Sequence, residues 1–151
     1  MSKKQWGNAT WFLFHTLAEK LKPEFSNSAP EIFKIINNIC NNLPCPDCQE
    51  HATKTLQTVN ISNIKTREDL IKVIWEFHNK VNSRLNKIIF TEYERDELYK
   101  KAITINVINN FIRVMNKRMG NEHGMLNAYY RSKSTEEFVK YINENLYKFM
   151  L

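Results

Sequence analysis

Glycine and proline are scarce in this chain. Three glycines and four prolines among 151 residues leave few places for tight turns. That excludes a strand-and-turn architecture and favours long helices. Cysteine is also scarce, and three residues make no disulfide framework. A chain of this length buries enough surface to fold without one. No apolar run approaches the roughly 20 residues of a membrane-spanning helix, so no membrane attachment is expected. The opening Met1-Ser2-Lys3-Lys4-Gln5-Trp6 lacks the apolar core of a secretory signal. The expectation is a chain made and kept in the cytoplasm.

What is present fits a soluble globular protein, with 42% hydrophobic and 25% charged residues. The net charge of +6 is spread along the chain. It reads as a Lys-rich solvated helix surface rather than a nucleic-acid footprint.

Apolar side chains recur at helical spacing through most of the chain. Trp6, Ala9, Phe12, Leu13, Leu17 and Leu21 mark a first helix over 5–22, ended by Lys22-Pro23. Ile32, Phe33, Ile36, Ile39, Cys40 and Leu43 mark a second over about 30–42, stopped by Pro44. A third begins at the next cysteines and runs to about Thr58. Thr66, followed by Glu68 and Asp69, caps a fourth through Leu70, Ile74, Phe77, Val81 and Leu85. Thr91-Glu92-Tyr93-Glu94 is a capping box for one long helix that fades near Met119. Gly120 and Gly124 bracket a break, and a short helical stretch reaches Tyr130. Ser134-Thr135-Glu136-Glu137 then reads as a second capping box opening a final helix.

The stretch richest in chemistry is Leu43-Pro44-Cys45-Pro46-Asp47-Cys48-Gln49-Glu50-His51. The prolines stop one helix and preset the first turn of the next. Cysteines two residues apart at a helix start can close a small disulfide ring or hold a metal. The free N–H groups of that helix end stabilise a thiolate. Zinc needs four ligands at workable spacing. Cys45, Cys48, His51 and Cys40 have ligand chemistry, but no second Cys/His pair accompanies them. A thioredoxin-like reductase needs strands around the pair, and none is predicted. A non-catalytic basic helical protein is the remaining alternative.

Two helix faces combine aromatic and polar groups. Trp11 and His15 lie one turn apart, and Trp75, His78 and Asn82 follow one line along the fourth helix. Each face alone reads as ordinary partly buried packing. Together with the cysteine pair, they suggest a shared bundle interior able to stack on a planar ring.

These segments resemble the Erv/ALR family of FAD-dependent sulfhydryl oxidases, in particular the short enzymes of large DNA viruses. Gly7-x-x-Thr10-Trp11-x-x-x-His15 is similar to the family's first-helix signature. Pro44-Cys45-x-x-Cys48-x-x-His51 resembles its redox centre. Trp75-x-x-His78-Asn79-x-Val81-Asn82-x-x-Leu85-x-Lys87-x-x-Phe90 resembles its flavin-binding helix. The resemblance implies an all-α fold over 1–100: a four-helix bundle with a short fifth helix. Residues 101–151 would be a helical extension, packed on the same domain or forming an interface. It implies catalytic Cys45 and Cys48, with Cys48 nearer the flavin. Trp11, His15, His78, Asn79, Val81, Asn82 and Lys87 would line the FAD site, with Thr10, His51, Leu85 and Phe90 beside them. No metal is expected. The implied partners are a protein dithiol or a separate Cys-x-x-Cys shuttle protein, molecular oxygen and a second copy in a homodimer. The implied setting is a viral assembly site in the host cytoplasm, or the virion. The chain departs from the pattern at Asn8, where an Arg is usual, at Ile88, where a Pro is usual, and at Thr91, where many members carry a cysteine. It also has no second Cys-x-x-Cys.

Overall fold

Ser2 opens the first helix by accepting the N–H of Gln5 on its hydroxyl at 3.2 Å. The computed structural model describes residues 2–117 and 124–151. The helices among them are α1 (Lys3–Glu19), α2 (Ala29–Cys40), α3 (Pro46–Gln57), α4 (Arg67–Arg84), α5 (Glu92–Lys100), α6 (Thr104–Met115) and α7 (Gly124–Asn145). Short 3-10 turns lie at Pro23–Ser28, Ile61–Asn63 and Leu146–Lys148. The fold class is all-α, with α1–α4 forming the bundle, α5 the short fifth helix and α6–α7 the C-terminal extension. None of the helices is long and apolar enough to cross a membrane, among the described residues.

α1 is the axis of the packing. Its residues from Leu13 to Glu19 are consecutively buried, which requires cover on every side. α4 and α6 lie against it, and α5 and α2 complete the enclosure. Leu13, Leu17 and Leu21 are wholly buried; each such side chain contributes roughly 1.5–3 kcal/mol of transfer free energy. α2 buries Ile32, Phe33, Ile36 and Ile39 on one stripe, as its helical spacing predicts.

Local chemistry sets the helix starts. Thr66 and Asp69 form a reciprocal capping box: the Asp69 N–H donates to the Thr66 hydroxyl at 3.2 Å and the Thr66 N–H to Asp69 at 3.0 Å. Thr91 and Glu94 repeat the device for α5. Arg67 ties α4 to α1, donating to the Glu19 carbonyl from Nη2 at 2.7 Å and Nε at 3.2 Å. A cation there also complements the C-terminal dipole of α1.

Two expectations fail. The long helix from Thr91 is broken after Lys100, and α6 restarts at Thr104. No glycine or proline marks that break, because tertiary contacts make it. Lys20 donates to the Lys100 carbonyl at 2.7 Å, and the buried Thr104 hydroxyl donates to the carbonyl of Met150. The second failure is the capping box at Ser134. α7 runs through it unbroken, with Ser134 and Thr135 buried. The Thr135 hydroxyl donates back to the Arg131 carbonyl at 3.0 Å, so it stays inside the helix instead of capping one. The expected ending near Met119 and the glycine at Gly120 lie outside the described residues.

The residues beyond 101 share the core of the bundle. Ile108, Phe111, Val114 and Met115 of α6 and Phe138 and Ile142 of α7 belong to the same buried cluster as α1 and α2. Phe111 and Phe138 meet edge to face at 5.3 Å. The C-terminal segment is clipped to the end of α1: the Lys22 N–H donates to Lys148 at 2.9 Å and the Met150 N–H to Lys20 at 2.7 Å.

Candidate redox site

Cys45 is the N-cap of α3 and Pro46 its first residue. The extended backbone of Cys45 turns its sulfur toward the new helix, where Sγ accepts the Cys48 N–H at 3.3 Å. Gln49 holds the approach by donating to the Leu43 carbonyl at 3.0 Å. Both cysteines are half-buried. Burial first, then the hydrogen bond and charge of Cys45, push the Cys48 thiol up to about 11, while Lys3 acts in the opposite direction.

Cys48 stands on the wall of a cavity of about 560 Å³, between α1, α3 and the C-terminal half of α4. Of the residues expected at a cofactor site, Thr10, Trp11, Cys48, His51, Val81, Leu85 and Lys87 line it. Phe14, Phe77 and Cys40 add apolar wall, and Lys3, Lys4 and Arg84 join Lys87 as cations. No carboxylate lies among the lining residues. Sequence reading missed Lys3, Lys4 and Arg84. The available signal was spacing, since Lys4 sits one turn before Asn8 on the same helix.

Lys87 reaches the cavity because of how α4 ends. Asn86 has φ 56°, a left-handed conformation that Asn tolerates better than most residues. The Lys87 N–H then bonds Asn82 O at 2.8 Å and the Asn86 N–H bonds Ser83 O at 3.2 Å. These two bonds are the Schellman pattern of a helix C-terminus.

The other expected residues do not line this cavity; they gather beside it. His78 stacks on Trp11, with ring centroids 3.9 Å apart and planes 9° apart. His15 Nε2 lies 2.8 Å from His78 Nδ1. Phe90 packs edge-on to both histidines. Asn79 grips the Phe90 backbone, donating to its carbonyl at 3.0 Å and accepting its N–H at 3.2 Å. Trp75 Nε1 donates to the same carbonyl at 2.9 Å. Asn82 is buried within α4. Tyr99, which no motif marks, stacks on His15 at 4.3 Å. Burial holds His15 well below the usual imidazole range and brings His78 down to about 4. Among the described residues, no group of three or more His, Cys, Asp or Glu side chains is placed to share a metal ion.

A helical bundle with a Cys-x-x-Cys at the start of a helix, beside an aromatic and cationic cavity, defines a small all-α thiol-redox class. Residues 8–102 match the Erv1/Alr family, and the chain belongs to it. It is 35% identical to a protein of Invertebrate iridescent virus 3 over 86 residues, 56% of this chain and 58% of that relative. It is 34% identical to the FAD-linked sulfhydryl oxidase of African swine fever virus over 104 residues, 65% of this chain and 82% of that protein. The FAD-linked sulfhydryl oxidase of Arabidopsis thaliana is 29% identical over 94 residues, 60% of this chain and 47% of the plant protein.

Proposed function

We propose that this chain is an FAD-dependent sulfhydryl oxidase that forms disulfide bonds in protein dithiols and passes the electrons to oxygen, yielding hydrogen peroxide. The observation that carries the reading is Cys48 on the wall of a cavity it shares with Trp11 and four cations. The cavity volume of about 560 Å³ lies in the range of cofactor sites, roughly 300–1,000 Å³. Its composition fits FAD: an aromatic and aliphatic wall for a flat ring, and cations without carboxylates for a pyrophosphate.

On this reading Thr10, Trp11, His51, Val81, Leu85 and Lys87 would touch the cofactor. His15, His78, Asn79, Asn82 and Phe90 would act from behind, holding Trp11 and the 86–91 segment in place. The reaction of the chain itself begins with a Cys45–Cys48 disulfide. A substrate thiolate attacks Cys45 Sγ, a mixed disulfide forms, the old S–S bond breaks and Cys48 leaves as a thiolate. A second substrate thiolate attacks the substrate sulfur, which completes the substrate disulfide and releases Cys45. The electron pair then resides in the Cys45/Cys48 dithiol. The chemistry that bound FAD supplies is acceptance of that pair and its transfer to oxygen. With no second Cys-x-x-Cys in the chain, the dithiol comes from the substrate itself or from a separate shuttle protein.

The family resemblance supports a homodimer and a viral setting in the host cytoplasm or the virion, which we include in the proposal. Sedimentation of the 18.0 kDa chain tests the dimer. We further assign residues 101–151 to the same folding unit as 1–100, on the strength of the shared core of α1, α6 and α7. The decisive experiment is the visible spectrum of the desalted protein followed by oxygen uptake with dithiothreitol. Flavin bands that bleach with thiol, with oxygen consumed, support the oxidase. A colourless protein that FAD does not reconstitute overturns it.

A further inference from the structure

We propose that His51 is the proton partner of Cys48: one turn further along α3 and lining the same cavity, its imidazole takes the Cys48 proton when a thiolate is needed and returns it when the Cys45–Cys48 bond opens. This rests on the redox reading of the pair, but its test reads the thiol itself.

Helix geometry sets the two side chains together. α3 runs unbroken from Pro46 to Gln57, so positions 48 and 51 share a face with Cβ atoms roughly 5–6 Å apart. Backbone bonds hold this stretch on both sides. The Gln49 N–H donates to the Cys45 carbonyl at 2.9 Å, and the Thr55 hydroxyl donates to the His51 carbonyl at 2.9 Å. Cys48 is half-buried while His51 is exposed, so the imidazole joins the cavity wall to bulk water.

Cys48 has need of such a partner. The helix end serves Cys45, whose Sγ accepts the Cys48 N–H at 3.3 Å. Burial pushes the Cys48 thiol up to about 11, which leaves roughly one thiol in ten thousand ionised at pH 7. The other groups around the cavity cannot take its proton. Lys3 and Lys4 reach it from α1, and Arg84 and Lys87 from the end of α4. Lysine and arginine already carry their protons at neutral pH, so these four attract a thiolate without accepting from a thiol. Cys40, from α2, is itself a thiol and 1% exposed. Glu50, beside His51 on α3, is paired with Lys54 at 2.7 Å and does not line the cavity. Among the described lining residues there is no carboxylate, and His51 is the one histidine. Imidazole is the side chain that exchanges its proton near neutrality.

The step moves one proton and no electrons. Cys48 S–H and a neutral imidazole become a thiolate and an imidazolium, the ion pair that activates cysteines beside a histidine. In the opposite direction a substrate thiolate bonds to Cys45 Sγ, the electron pair of the broken S–S bond goes to Cys48, and the imidazolium supplies the proton.

The test follows iodoacetamide alkylation of Cys48 against pH in the full-length protein, reduced and kept free of oxygen. Peptide mass spectrometry separates Cys48 from Cys45 and Cys40. A thiol with no proton partner reacts about tenfold faster for each pH unit below its own titration. The thiolate–imidazolium pair holds the same number of protons as the neutral pair, so its population does not change with pH. The unmodified chain should therefore show a plateau from about pH 7 to about pH 9. In His51→Gln the plateau should give way to the tenfold rise per unit, and in Lys4→Gln it should remain. Circular dichroism checks the fold, and His51→Asn serves as a second variant. A tenfold rise per unit in the unmodified chain overturns the proposal without any variant, and so does a plateau that survives in His51→Gln. A protein in which Cys45 and Cys48 never form a disulfide overturns the redox reading instead, and mass spectrometry of the air-oxidised chain separates the two failures.

Discussion

His15 Nε2 and His78 Nδ1 stand 2.8 Å apart, so one ring donates a proton and the other accepts it. Trp11 covers one face of His78 and Tyr99 one face of His15. This pair is built for neutral imidazoles: two positive rings at that distance would repel each other in a site with little water.

Stability should therefore fall on acidification through a defined window. Burial lowers both histidines, His78 from 6.5 to about 4 and His15 also well below 6.5. In the unfolded chain both protonate near 6.5. As pH falls from about 6.5 toward 4, the unfolded state binds protons that the folded state refuses, and stability drops. Below the folded-state value of His78 its contribution levels off. Urea midpoints measured between pH 7 and pH 4 should decline. His78→Phe, which keeps a ring against Trp11, should flatten the decline, and an equal slope in that variant would remove the histidine explanation.

Asn79 should be worth more than one hydrogen bond. Its amide pairs with both the N–H and the carbonyl of Phe90, so Asn79→Leu leaves a half-buried backbone donor without its partner. The expected loss is about 1–3 kcal/mol, read as a lower denaturant midpoint. Asn79→Asp keeps the acceptor for the Phe90 N–H but loses the donor to its carbonyl, and should fall between the two.

How much of this was legible beforehand follows from the range of the forces involved. The Thr66 and Thr91 caps, the helical spacing in α2 and the helix start at Cys45 are local, and each shows in a few neighbouring residues. The break at Lys100 was not legible, because its causes are distant: Lys20 reaching the Lys100 carbonyl, and Thr104 turning to Met150. The continuous α7 was missed for a local reason, since Thr135 has the residue type of a cap but bonds back to the Arg131 carbonyl inside the helix. The candidate site divides in the same way. Cys45, Cys48, Trp11 and His78 carry distinctive chemistry in order along the chain. Lys3, Lys4 and Arg84 are ordinary surface residue types, and only the folded arrangement puts them around one cavity. Tyr99 is a further case, since nothing in its own segment predicts that it stacks on His15.

Cys40 should behave unlike the other two cysteines. It is 1% exposed, and burial pushes its thiol far above the ordinary range. A thiol that cannot reach its thiolate is inert. In folded, reduced protein at pH 8, iodoacetamide should modify Cys45 first and Cys48, whose thiol burial pushes up, more slowly, while Cys40 stays unlabelled. In urea all three should label. Rapid labelling of Cys40 in the folded state would mean that the α2 end opens frequently.

Thr16 offers a stabilising change. It is wholly buried in α1, yet its hydroxyl has no hydrogen-bond partner among the described residues. A buried hydroxyl without a partner forfeits its hydration with nothing in return. Valine has nearly the same shape, puts a methyl in place of the hydroxyl and prefers one χ1 rotamer in a helix. The gain from losing the orphan oxygen, about 1 kcal/mol, exceeds the few tenths that valine costs in helix propensity at most. Thr16→Val should therefore raise the urea midpoint without changing the dependence on denaturant. A destabilisation of that size would mean that the hydroxyl is satisfied after all, by water or by a shift of α1.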